Sequence, residues 1–129
     1  YPKAIECFTS SLKIQEELGN KNGIAVILDN IGMIYKDQGD YAKALEKSTK
    51  ALSIAQEIGA VQQIKFASEN LWKTYKKLGN HSQALEMHEL YIEMRDSIDS
   101  EENTKATIRM QLQYEYEKEK ALEPVMRPV

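Results

Sequence analysis

Apolar side chains return at helical spacing through residues 24–37, where Ile24, Ile27, Leu28, Ile31, Ile34 and Tyr35 fall on one face. Gly39 follows, a residue whose permissive backbone closes a helix. Asp40 then offers a carboxylate to the free amides of a second helix, whose apolar face is Ala44, Leu45, Ala51, Leu52, Ala55 and Ile58 and whose stop is Gly59. Asn80, with Gln83 three residues later, repeats the start signal, and Gly19 and Gly79 repeat the stop. The pattern predicts helices over 2–18, 22–37, 41–58, 61–77, 81–98 and 101–120.

The helices recur. Sliding the chain by 40 residues lays 1–19 on 41–59 with nine of nineteen positions identical. The same shift pairs Asn30 with Asn70, Tyr35 with Tyr75, Gly39 with Gly79, and Ala44-Leu45-Glu46 with Ala84-Leu85-Glu86. A fixed period of this size marks stacked units, none of which buries its apolar face alone. Gly32, Ala44 and Ala84 sit where the two helices of a hairpin approach closely. Trp72 occupies the place of Gly32, so the second hairpin is expected to pack differently, its indole filling space at an inter-repeat or terminal surface.

After Ser100 the repeat is lost. Ala106, Ile108, Met110, Leu112, Tyr114 and Tyr116 alternate with polar residues, the pattern of a half-buried strand. The acids at the start and Lys118 and Lys120 at the end suit a helix instead, and a strand here has no edge to pair with. Helix is the favoured reading, with opposed stripes Ala106/Met110/Tyr114 and Ile108/Leu112/Tyr116. One stripe can cover the last repeat, and the other is left for a partner. Ile108, Leu112 and Tyr116 are the candidate oligomer contacts. ALEPVMRPV has two prolines and no period and is expected to be a flexible tail.

Composition narrows the classes. A net charge of −3 provides no broad basic field for nucleic acid or an anionic membrane. Cys7 alone forms neither an intrachain disulfide nor a cysteine metal cluster. No run reaches the roughly 18 uncharged apolar residues of a membrane span, and no signal-peptide pattern opens the chain. Tyr1 falls midway through a repeat, so the compartment stays open. His81 and His88, seven apart, lack a third metal ligand. Asp96, Asp99, Glu101 and Glu102 crowd the expected helix junction and read as capping groups, without the spacing of a calcium loop. No phosphate-binding glycine loop or nucleophile elbow occurs. Neither a catalytic residue, a metal nor a cofactor is expected.

Leu28, Ile31, Gly32 and Tyr35 resemble the helix A pattern of the tetratricopeptide repeat family, and Gly39, Tyr41, Ala44 and Ala51 resemble its helix B positions. In the next unit Gly79, His81, Ala84 and Tyr91 take those places, two of them unlike the family. The period exceeds the family's usual length of about 34 residues; it is similar to the longer repeats of kinesin light chain and many bacterial signalling proteins. The segment after residue 100 resembles the helix that follows such arrays in bacterial sensor kinases and regulators.

The resemblance implies an all-α solenoid of antiparallel hairpins. Residues 1–20 are the second helix of a truncated repeat, 21–60 and 61–99 are full repeats, 100–121 is an extension helix and 122–129 the tail. It also implies a concave groove lined by helix A that binds a peptide or protein segment. Val26, Asp29, Asn30, Met33, Lys36 and Asp37 would face that groove from the first full repeat, and Phe66, Glu69, Asn70, Lys73, Lys76 and Lys77 from the second. Asn30 and Asn70 can each donate and accept, and so clamp an extended backbone or tie neighbouring helices. Asp29 and Glu69 stand where chaperone-docking members carry Lys. The lysines either recognise an acidic segment or form a solvated face. The expected function is protein–protein interaction within a larger signalling protein, without nucleic acid or direct membrane contact. The alternative is an oligomerisation module that pairs as a homodimer through the C-terminal helix and the exposed first repeat.

Overall fold

A computed structural model describes residues 2–126, and among them there are five helices and no strand. They are α1 (Pro2–Leu18), α2 (Lys21–Asp37), α3 (Tyr41–Ile58), α4 (Val61–Lys77) and α5 (His81–Met126). The chain divides into two compact units, Tyr1–Arg95 and Asp96–Val129.

In the first unit the helix ends set the architecture. Gly19, Gly39, Gly59 and Gly79 all hold positive φ, between 66° and 82°, a conformation that costs glycine little. Around each, two backbone bonds close the helix in the same way. At the second, Gly39 N–H donates to the Lys36 carbonyl at 3.0 Å and Asp40 N–H to that of Tyr35 at 2.9 Å. The residue after each glycine is already the next N-cap. Asn20, Asp40 and Asn80 accept side-chain bonds from the amides of Gly23, Lys43 and Gln83, at 3.1, 3.3 and 3.3 Å. Such short turns leave successive helices antiparallel; α1 packs on α2, α2 on α3 and α3 on α4, with α2 also reaching α4.

The core is built from Ala25, Leu28, Ala51, Leu52, Ala55, Ile64, Ala67 and Leu71. Its alanines let helices approach while the leucines fill the space between them. At the tightest approach a Cβ added to Gly32 would run into Ser48 Oγ and lie 3.3 Å from the Ala44 carbonyl oxygen. Only glycine fits there without displacing α3.

Trp72, at the matching position of α4, packs inside its own hairpin. Its ring meets His88 of α5 edge-on, centroids 5.1 Å apart, and His88 in turn lies 6.3 Å from Tyr91. The indole therefore separates two helices of one repeat and, being half-buried, also borders Lys36, Asp37 and Tyr41 of the preceding repeat, in keeping with the expected inter-repeat surface. His88 occupies the place of Ser48, so a glycine–serine contact becomes a tryptophan–histidine one.

One correction concerns α5. Two helices, 81–98 and 101–120, were expected, and one continuous helix is found. The stretch from Arg95 to Lys105 contains neither glycine nor proline to break it. Thr104 Oγ1 donates to the Ser100 carbonyl at 2.9 Å, and Lys105 pairs with Glu101 one turn back at 3.1 Å. The acids at 96–102 thus have no helix junction to cap. The helical backbone also runs on through 122–126, placed in the expected tail, while 127–129 lie outside the described residues. In the second unit both apolar stripes are exposed, with Met110 at 72% and Leu112 at 62%.

Candidate functional site

The expected groove residues lie on facing sides of α2 and α4, and a buried polar contact joins the two helices. Asn70 Nδ2 donates to Asp29 Oδ1 at 2.7 Å, and Lys36 Nζ donates to Asn70 Oδ1 at 3.3 Å. Asp29 and Asn70 are each 8% exposed. Burial pushes the Asp29 carboxyl up from 3.8 to about 6. The Asn70 hydrogen bond and the Lys36 charge oppose that rise, and neighbouring Glu69 adds to it. Asn70 is therefore engaged within the protein, tying repeat to repeat. Asn30 is half-buried, and its carboxamide makes no hydrogen bond among the described residues.

Two clefts follow one another along these helices. The first, of about 400 Å³, is lined by Val26, Asp29, Asn30 and Met33 of α2 and by Gln63, Phe66, Glu69 and Asn70 of α4. Met33 and Phe66 remain 41% and 40% exposed, an arrangement that leaves apolar surface open beside the Asn30 amide. The second, of about 720 Å³, is lined by Lys36 and Asp37 of α2, Tyr41 of α3, and Trp72, Lys73, Lys76 and Lys77 of α4. Lys73 pairs with Glu69 at 2.8 Å. Lys73 and Lys76 place their ammonium groups 5.8 and 5.9 Å from the Trp72 ring centroid, within cation–π range.

All twelve residues expected in the groove fall in one cleft or the other. Gln63, Tyr41 and Trp72 line them too and were not expected. Gln63 lies one turn before Phe66 and could have been found by extending the helix register backward. Tyr41 enters the sequence reading only as a helix B position of the family resemblance and Trp72 only as a packing residue, and the sequence alone does not reveal that both line a cleft. Asp29 was expected as a groove residue, but its burial was not.

The clefts have shape, exposed apolar surface and charge. Among the described residues no group of three His, Cys, Asp or Glu is placed to hold a metal ion. No helix among them is long and apolar enough to cross a membrane.

No curated protein shows significant similarity to the chain. A family model described as tetratricopeptide repeat matches residues 1–57 and again 24–97, the second match spanning both hairpins. With that match and a helical-hairpin architecture of the same register, the chain belongs to the tetratricopeptide repeat family, whose repeats generally mediate protein–protein interaction.

Proposed function

We propose that the facing sides of α2 and α4 bind an extended peptide or an exposed segment of a partner protein. The observation that carries this reading is the first cleft. Exposed Phe66 and Met33 there stand beside Asn30, a carboxamide with free donor and acceptor capacity. Apolar side chains give affinity without demanding a sequence, and an amide can grip the ligand backbone. Asn70 acts by holding α2 against α4 rather than by gripping the ligand.

The test is selection of displayed random peptides on the full chain, followed by calorimetric titration of the winners. Asn30→Ala with Phe66→Ala is expected to weaken binding at least about tenfold while leaving the melting temperature near the parent's. Selection that enriches nothing, or winners indifferent to both substitutions, would overturn the reading.

In the parent protein the groove would be the sensory or interaction part of a bacterial signalling protein. The forty-residue period and the helix after residue 100 support that context. A reading frame that continues into a membrane segment and an output domain is the expected finding, and one that does not removes this part of the proposal.

A second reading is favoured by one specific observation. Ile108, Leu112 and Tyr116 are 51%, 62% and 63% exposed on the second unit. Pairing between copies would cover them. Light scattering over a concentration series should then show a dimer, which polar substitution of the three residues returns to monomer. A parent that stays monomeric at high concentration rejects it.

A further inference from the structure

We infer that the segment bound in this groove is bipartite: an aromatic or long aliphatic anchor four or five residues from a pair of acidic residues. The inference rests on the groove reading and goes beyond it by specifying the ligand's chemistry.

The two clefts differ in kind. The first offers Phe66 and Met33, apolar and open. The second collects four lysines, Lys36, Lys73, Lys76 and Lys77, against one carboxylate, Asp37. Among the described residues neither Lys76 nor Lys77 has a carboxylate within ion-pair distance. Both clefts lie on the same two helices, in series along them. The Lys36–Asn70 hydrogen bond stands at their boundary, its lysine lining the second and its asparagine the first.

Basic residues near a helix C-terminus complement the helix dipole, which is an ordinary structural use for them. The distribution here is selective. The last turn of α2 carries Lys36 and that of α4 Lys76 and Lys77, whereas α1 and α3 carry no basic residue in the last turn, though they too stop at glycines. Lysine is present at the ends of α2 and α4, the facing walls of both clefts, and missing from the ends of α1, which lines neither, and of α3, which adds only Tyr41 at its start. Dipole compensation alone gives no reason for that division, while recognition of negative charge does.

Spacing sets the length of the ligand motif. Phe66 and Lys76 are ten residues apart on one helix, a rise of about 15 Å. An extended chain covers that distance in four to five residues at about 3.3 Å each. Trp72 and Tyr41 supply aromatic walls between the lysines, against which the acidic residues' methylenes can pack. Nucleic acid is a poorer occupant. The chain's net charge is −3, and Glu69, Asp29 and Asp37 flank the lysines along the same face.

The experiment reads the peptides selected on the full chain and adds synthetic peptides in which Glu or Asp is replaced by Gln or Asn. Binding is followed through the emission of Trp72, the chain's single tryptophan. The expected result is an apolar anchor four or five residues from paired acids, a loss of about tenfold on neutralising the acids, and affinity that falls with salt. Lys76→Ala with Lys77→Ala should lower affinity about tenfold and flatten the salt dependence. Lys76→Glu with Lys77→Glu is the second variant, which should reject the acidic peptides while circular dichroism shows the helices intact.

Peptides that depend on Asn30 and Phe66 but not on acids or on the lysines would overturn the inference and leave the groove reading standing. Failure to select any peptide removes both. A DNA or RNA oligonucleotide bound as tightly as the peptides, with the same lysine dependence, would make the second cleft a general polyanion surface and overturn the inference.

Discussion

The hairpin of α2 and α3 and the hairpin that α4 makes with the start of α5 share one register, yet they solve close packing in opposite ways. The first uses absence. Gly32 lets the Ser48 and Ala44 backbone come within contact distance, and Ala44 and Ala51 are each 1% exposed. The second uses bulk. Trp72 and His88 stand edge to face where Gly32 and Ser48 would be, Tyr91 replaces Ala51, and Ala84 is 8% exposed. Leu45 is half-buried, while its counterpart Leu85 is 60% exposed. The repeat conserves helix ends and register, and what fills the interior is free to change in matched pairs. The substitution also turns an interior position into a cleft wall, because an indole is large enough to pack on His88 and still line the second cleft.

Exchanging the wedges breaks the comparison most severely. Gly32→Trp drives an indole into Ser48 and Ala44, and should cost at least about 3 kcal/mol in denaturant unfolding followed by circular dichroism. Trp72→Gly leaves a void against His88 but no collision, with a cost of about 2 kcal/mol because the ring is only half-buried. Equal costs would mean that the two hairpins pack alike.

The next effect belongs to the contact between repeats. The folded state holds the Asp29 proton up to about pH 6, and the unfolded chain releases it near 3.8. Between those values the native state binds more protons, so this group's contribution is fully present below pH 3.8 and is lost as pH rises through 6. A shift of about two units corresponds to at most about 3 kcal/mol. Asp29→Asn should remove that portion of the pH slope between about 4 and 6, as measured by unfolding at a series of pH values. An unchanged slope would show that Asp29 is as well solvated folded as unfolded.

Asn30 and Asn70 sharpen the contrast further. Asn70→Ala removes the donor from a buried carboxyl and should destabilise by about 2 kcal/mol. Asn30→Ala removes no bond within the chain and should shift stability by less than about 0.5 kcal/mol. Similar costs at the two sites would mean that both asparagines hold helices together.

That pair also marks the limit of what sequence could reveal. The forty-residue shift, the glycine stops and the alternation of helix faces were legible because each is local and each repeats. Asn30 and Asn70 look equivalent for the same reason. Their difference arises from Asp29, which meets Asn70 across the repeat boundary, a contact that periodicity does not encode. The second unit was misread in a different way. Asp96, Asp99 and Ser100 are residues that cap helices, and the sequence contains signals for a start without the glycine or proline that would force a stop. Helix won because every backbone group between Arg95 and Lys105 could be satisfied by continuing.

The smallest effect tests the helix ends, the feature both hairpins share. Ala60 is the N-cap of α4 and supplies no side-chain bond, while Asn20 and Asp40 do at the equivalent ends. Its backbone already holds the cap conformation, φ −82° and ψ 87°, against −83° and 89° at Asn20. Ala60→Asn therefore needs no change of path to offer an oxygen to the Gln63 amide. A capping bond contributes about 1 kcal/mol, and Ala60 also packs against the core, so part of that gain is offset. The net expectation is a stabilisation of about 0.5 kcal/mol, read as a small rise in melting temperature. A fall instead would mean that the methyl packing of Ala60 outweighs a cap. The second hairpin would then differ from the first at its entry as well as in its interior.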